Sequence, residues 1–255
     1  MRRLIVSTLI AAGLFQVGTL QAQNHCTVAD MKGDFATQPQ GILTEGPYAG
    51  PFAATGVIHF DGAGRFSGVA TSSFNGGVIF PFDAVGQYGV TPDCFVTILE
   101  TTLRIAFEGY LSHTKNEVTL FQPDPGAVTV NTLRRQLISH CTTAGLKDTW
   151  AIQAAGSNIL TGGKFAQNGR LKFDGNGNFA GVTASSVNGE IVRATVTGTY
   201  RVDDQCTFLG RIVDKDGVIS HIFGTLFDGG AQFIFIYSDD GLVVSGQGRR
   251  AVDVD

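Results

Sequence analysis

The chain has 255 residues, 34 of them glycine and 19 phenylalanine, with 16% charged residues and a formal net charge of −4. That mixture is too aromatic and too sparsely charged for a disordered chain. Its cations come in isolated pairs such as Arg134-Arg135 and Arg249-Arg250 instead of a broad basic stripe, which argues against a nucleic-acid partner.

The first residues read as a leader. Met1-Arg2-Arg3 precedes an apolar run from Leu4 to Leu20 with no charged residue, followed by the polar exit Gln21-Ala22-Gln23-Asn24. This is the pattern of a secretory signal peptide over residues 1–22, with cleavage expected after Ala22. Gly13, Gln16 and Gly18 interrupt the run, and no later segment is apolar enough to span a bilayer, so no membrane span is expected after signal removal. Cys26 follows Gln-Asn-His, not the small apolar residues of a lipoprotein signal. The expected location is secreted or periplasmic, and the formal charge of the processed chain becomes −6, since Arg2 and Arg3 leave with no acid.

From residue 23 to 139 the chain reads as a first β unit. Ala84, Gly86, Tyr88 and Val90 share one face of a strand, and further strands are expected over Phe95–Glu100, Leu103–Ser112, Glu117–Gln122 and Ala127–Ile138. Glycine and proline between these runs supply tight turns. Seven or eight short antiparallel strands can remove their edges by closing into a barrel. An eight-stranded barrel is just wide enough to be filled by side chains or to hold one small ligand. A two-sheet sandwich is the competing arrangement. Thr142 to Ala154 is expected to form a short turn or helix between units.

Residues 140–255 repeat the first unit. FDGAGRFSGVATSSFNG at 60–76 reappears as FDGNGNFAGVTASSVNG at 173–189, an offset of 113. GQYGVTPDC at 86–94 matches GTYRVDDQC at 198–206 at an offset of 112, and His25-Cys26-Thr27 matches His140-Cys141-Thr142 at 115. Three matches in order at nearly constant spacing indicate duplication. A solenoid needs three or more short units, so two long ones argue for two closed domains. Four cysteines allow three pairings. The one that respects the duplication is Cys26 with Cys94 and Cys141 with Cys206. Each such loop would stabilise its domain by roughly 4 kcal/mol in the chain-entropy model.

Catalytic signatures are mostly missing: the sequence holds no GxSxG, HExxH, P-loop or Rossmann fingerprint. Asp174-Gly175-Asn176-Gly177-Asn178 looks like the start of a calcium loop, but its counterpart at 61–65 lacks the oxygen ligands and no bidentate glutamate follows, so a hairpin turn is expected. His25 and His140 beside Cys26 and Cys141 give too few ligands for a metal site. Neither a metal nor a cofactor is expected. Tyr88 and Tyr200 read as core residues with a hydrogen-bonded hydroxyl. His59 aligns with Lys172 on a wet face, whereas His113 and His221 fall at strand positions. His221 alternates with Ile219 and Phe223, so together with Tyr200 and Glu190 it is the first residue to inspect for acid–base chemistry.

The doubled DGxGxFxG, NG-turn and GxYxVxxxC blocks resemble a group of exported bacterial tandem-repeat β proteins of largely unassigned role. In size and strand count the units are similar to calycin-type or allene-oxide-cyclase-type barrels. That resemblance implies a barrel that binds a small apolar molecule or catalyses a cyclisation inside it, but no cyclase catalytic residue has a match here. The leading expectation is a secreted β-barrel binding module for a small, mainly apolar ligand. The alternatives are a barrel enzyme of cyclase or isomerase type and a non-catalytic envelope or extracellular structural protein.

Overall fold

The structure, a computed structural model, describes residues 25–138 and 140–251, with the backbone alone at 78–80. The leader read at residues 1–22 lies outside the described residues. The first half forms strands β1 (Gly33–Thr37), β2 (Gln40–Leu43), β3 (Gly50–Phe60), β4 (Arg65–Phe74), β5 (Gly77–Val90), β6 (Phe95–Glu100), β7 (Ile105–Leu111), β8 (Glu117–Phe121) and β9 (Ala127–Arg135). The second half forms β10 (Asp148–Asn158), β11 (Gly163–Phe173), β12 (Asn178–Val187), β13 (Glu190–Val202), β14 (Thr207–Asp214), β15 (Ile219–Phe227), β16 (Gln232–Tyr237) and β17 (Leu242–Arg250). All pairings are antiparallel, and β10 to β17 close into a barrel in sequence order. The first half closes the same way. Its β1 and β2 both bridge β3 and β9, so the two short strands fill one of eight positions. They are split at Gln38-Pro39, where proline has no N–H to give a ladder. Ala154 occupies the matching place in the second copy, and β10 runs through unbroken.

The unequal repeat offsets have local causes. Six residues join β2 to β3 but four join β10 to β11, which moves the offset from 115 to 113. In the β4–β5 hairpin Phe74 pairs with Gly77 while Ser73 pairs with Ile79, a one-residue bulge absent from β12–β13 that moves it to 112. The stretch expected as a turn or helix over Thr142 to Ala154 is helical only as a 3₁₀ turn at Thr143–Leu146. Beyond it, buried Trp150, Ile152 and Ala154 alternate with exposed Ala151, Gln153 and Ala155, the period of a strand.

One end of each barrel is fastened by the same parts. Disulfides join Cys26 to Cys94 and Cys141 to Cys206. The Tyr88 hydroxyl accepts from the Gly62 amide (2.9 Å) and donates to the Val28 carbonyl (3.2 Å); Tyr200 does the same with Gly175 (3.0 Å) and Thr143 (3.1 Å). Each hydroxyl thus ties the Asp-Gly hairpin to the 3₁₀ turn that plugs the barrel floor. The last strand ends in an arginine: Arg135 lies over Phe35 and donates to the Asp30 carbonyl, and Arg250 lies over Trp150 and donates to the Gly145 carbonyl. Below the aromatic layer Trp150, Phe173, Phe208 and Phe233 are fully buried, as are Phe35 and Phe60 in the first copy.

The barrels lie side by side with their open ends on the same side. Near the open ends Gly241 donates its amide to the Gly76 carbonyl, joining the β16–β17 and β4–β5 turns, and towards the fastened ends Gln136 donates to the Leu226 carbonyl. Between these points Ala53 packs on Ile236 and Val243, and Ala36 on Phe227 and Ile234. Replacing Tyr200 by Phe would leave the Gly175 amide without its acceptor, at a cost of about 1–2 kcal/mol. Tyr88→Phe is expected to cost the same, read as a lower midpoint in urea denaturation of the oxidised protein; unchanged midpoints would contradict the fastening role.

Candidate functional site

Alternation along the strands sends one set of side chains into each barrel, and the two interiors differ most in their open halves. In the first barrel Phe52, Phe74, Phe82, Phe107 and Ile105 crowd that half, leaving a cavity of about 80 Å³. In the second, Phe52 is matched by Phe165, but Val187 stands for Phe74, Ala194 for Phe82 and Ser220 for Ile105. Losing two rings and a branched side chain opens a cavity of about 300 Å³. That is the lower end of the range for small-ligand sites.

Valines 187, 192, 196 and 244 with Phe165, Ile212 and Leu242 supply the apolar wall of this cavity. Its polar groups sit together. The buried Tyr237 hydroxyl donates to Gln167 Oε1 (2.9 Å), and Gln167 Nε2 donates to Ser185 Oγ (3.1 Å). Gln167 takes the place of Ala54 and Tyr237 that of Gln122, so this relay belongs to the second copy alone. Burial pushes the Tyr237 hydroxyl up to about 12, with the Asp239 carboxylate adding to the effect. Asp214, at the mouth, is occupied in its own turn, accepting from the Asp216 and Val218 amides. Leu160, Ile191 and Val218 stand exposed around the rim.

The first barrel carries a different polar set. Thr37 donates to Asn131 Oδ1 at 3.0 Å, Glu100 accepts from the Thr102 and Leu103 amides, and Ser72 buries a hydroxyl that has no hydrogen-bond partner among the described residues. Their counterparts Ile152, Gly246 and Ile212 are apolar, and only Ser185 keeps its hydroxyl.

The residues singled out from sequence do not meet here. His221 is on the outer face of β15, half-exposed, with Nδ1 2.7 Å from Asp239 Oδ1. Glu190 is exposed at the β12–β13 turn, and Tyr200 faces the interior but at the fastened floor, its hydroxyl spent on the hairpin and the 3₁₀ turn. His113, read as a strand residue, lies in the exposed β7–β8 turn, and His59 pairs with Asp34 on the surface. Asp174 uses Oδ1 for the Asn176 and Asn178 amides and Oδ2 for the Asn178 side chain, which holds its carboxyl below the usual range and makes the DGNGN segment a turn. Among the described residues no three His, Cys, Asp or Glu side chains converge as metal ligands. Sequence reasoning passed over Gln167, Tyr237 and Ala194. The signal was available in the copy-to-copy alignment, where Ala54, Gln122 and Phe82 stand in their places.

Fold and cavity together define an all-β protein of two eight-stranded barrels, one of them hollow at its open end. No protein-family model and no curated protein matches the chain. Among solved structures it is similar to kievitone hydratase from Nectria haematococca, with 6% identity over 90% of this chain and 93% of that one and a TM-score of 0.28. It is also similar to a protein of unknown function from the DUF3598 family of Nostoc punctiforme, with 12% identity, 90% and 99% coverage and a TM-score of 0.23. A third is OmpT, an outer membrane protein of Vibrio cholerae, with 7% identity, 85% and 95% coverage and a TM-score of 0.16. Likenesses at this level carry neither activity nor ligand to this chain.

Tyr237 gives the site a pH signature. A phenol raised from 10 to about 12 on folding favours the unfolded chain once it ionises, so its contribution is whole below about pH 10 and is lost as the pH climbs towards 12. The loss amounts to about 2–3 kcal/mol at most. Urea midpoints measured from pH 8 to about pH 12 should fall more steeply for the native protein than for Tyr237→Phe; parallel curves would refute the assignment.

Proposed function

We propose that the second barrel binds one small, mainly apolar molecule carrying a single hydrogen-bonding group, and that the first barrel is its packed structural partner. The observation that carries this reading is the 300 Å³ cavity, opened where the second copy exchanges Phe74 and Phe82 for Val187 and Ala194. Apolar walls would supply the affinity by removing ligand surface from water, at about 25 cal/mol per Å². The Tyr237–Gln167–Ser185 relay would orient the ligand, since an amide held at both ends still has a second N–H and a second lone pair to meet a carbonyl or hydroxyl. The reading also takes the chain as secreted and divided at residues 139/140 into two units. Two disulfides suit an oxidising compartment, which supports export behind the leader read at residues 1–22.

The test restores the first copy's rings. The neutral fluorophore N-phenyl-1-naphthylamine is expected to brighten on binding the oxidised protein, and Val187→Phe with Ala194→Phe to weaken that binding at least tenfold. Phe82→Ala in the first barrel should leave the second site intact. Binding that survives the double filling would sink the proposal, provided the variant keeps both disulfides and a cooperative unfolding transition.

A further inference from the structure

We propose that the cleft between the two barrels is a separate binding site for an extended neutral oligosaccharide. Two hollows of about 700 and 660 Å³ run along the seam and share Gln40, Val130, Ala155 and Ser245, so they form one continuous trough open to solvent. It runs along the outer faces of the strands, and Gln167 and Ser185 of the barrel cavity border it as well.

The wall from the second barrel carries an uncharged row of amides. Gln153 pairs directly with Gln247 on one side and Asn168 on the other, placing three amides on consecutive strands about 4.8 Å apart, a spacing of the order of one sugar ring. None of the three makes a side-chain hydrogen bond among the described residues. The next row holds Ala155 and Ala166, both exposed, whose small side chains leave depth. From the first barrel, Gln38, Gln40, Thr132 and Arg134 line the hollow that holds the amide row, with Val130 among them, and Phe121 lines the adjoining hollow; Val130 and its cross-strand neighbour Phe121 are each about half exposed.

This combination selects a ligand class. A sugar hydroxyl both donates and accepts, and so does an amide side chain, whereas a carboxylate only accepts and an ammonium only donates. The two charged side chains lining the trough are already engaged, Arg134 with Glu117 Oε2 and Lys164 with Ser157 Oγ. Val130 borders both hollows and Phe121 the second, so the C–H face of a pyranose can meet an apolar patch along the trough while its hydroxyls meet the amide row.

The probes are cellohexaose, maltohexaose and N-acetylated chitohexaose, each titrated to millimolar concentration into the ¹⁵N-labelled oxidised protein. At least one is expected to shift the side-chain amide resonances of Gln153, Asn168 and Gln247. Gln153→Ala with Asn168→Ala should weaken that sugar about tenfold, the loss of two modest hydrogen bonds. Ala166→Trp, which fills the trough from an exposed position, should abolish binding without changing the urea midpoint. Failure of all three sugars to shift these resonances, or shifts that persist in Ala166→Trp, would overturn the inference. The barrel-filling pair Val187→Phe and Ala194→Phe should bind the sugar normally, so the two sites succeed or fail independently.

Discussion

Closing a sheet on itself leaves two open ends, and in this protein the fastening of one end organises everything else. A disulfide, a tyrosine hydroxyl and a terminal arginine converge there in both copies, each tying the chain's entry turn to the strands around it. Every partner of the tyrosine hydroxyl is a backbone group, so the fastening tolerates side-chain change elsewhere as long as the turn glycines remain. Gly62 and Gly175 hold positive φ angles of 79° and 78°, and Lys32 and Lys147 respectively crowd the places where a Cβ would stand.

With the floor fixed, the opposite half of each interior is free to diverge. The first copy fills it with rings and keeps a compact polar set around Asn131; the second removes two rings and installs Gln167 and Tyr237. A cavity is a cost in a structural core, because its lining atoms lose contacts. The second copy bears that cost in its open half, where the first copy's two rings are replaced by Val187 and Ala194. The packed copy meanwhile covers β15, β16 and β17 and sets the orientation of both mouths.

That covering changes how strands look. β16 is buried on both faces, from Phe233 through Tyr237, because its inner side chains fill the second barrel and its outer ones meet the first. The outer face of β15 likewise buries Phe223, Thr225 and Phe227 in part or in full. Thr55 and Thr225 carry buried hydroxyls with no hydrogen-bond partner among the described residues, on the outer faces of the two elements that meet there. The junction thus combines a dry apolar strip with hydrogen bonds spread along its length: Gln38 to the Gly246 carbonyl and Ser245 to Gln40 near the middle, Ser73 to the Leu242 carbonyl and Gln136 to the Leu226 carbonyl towards the ends.

The sequence by itself determined the duplication, the β architecture, the hairpin turns and the cysteine pairing, because these depend on local alternation, on glycines that accept positive φ, and on matching positions between copies. It also placed Tyr88 and Tyr200 in the core with a bonded hydroxyl. Only the tertiary structure decided that His221 points outwards: Ile219 and Phe223 flank it with apolar side chains, yet their face meets solvent at one end and the other barrel further along. Period-two alternation identifies two faces but cannot say which one a neighbouring barrel hides from water. Nor could it measure a cavity, whose volume is set by side chains from eight strands at once, and so the hollow second barrel and the trough along the seam emerged only when those strands were brought together.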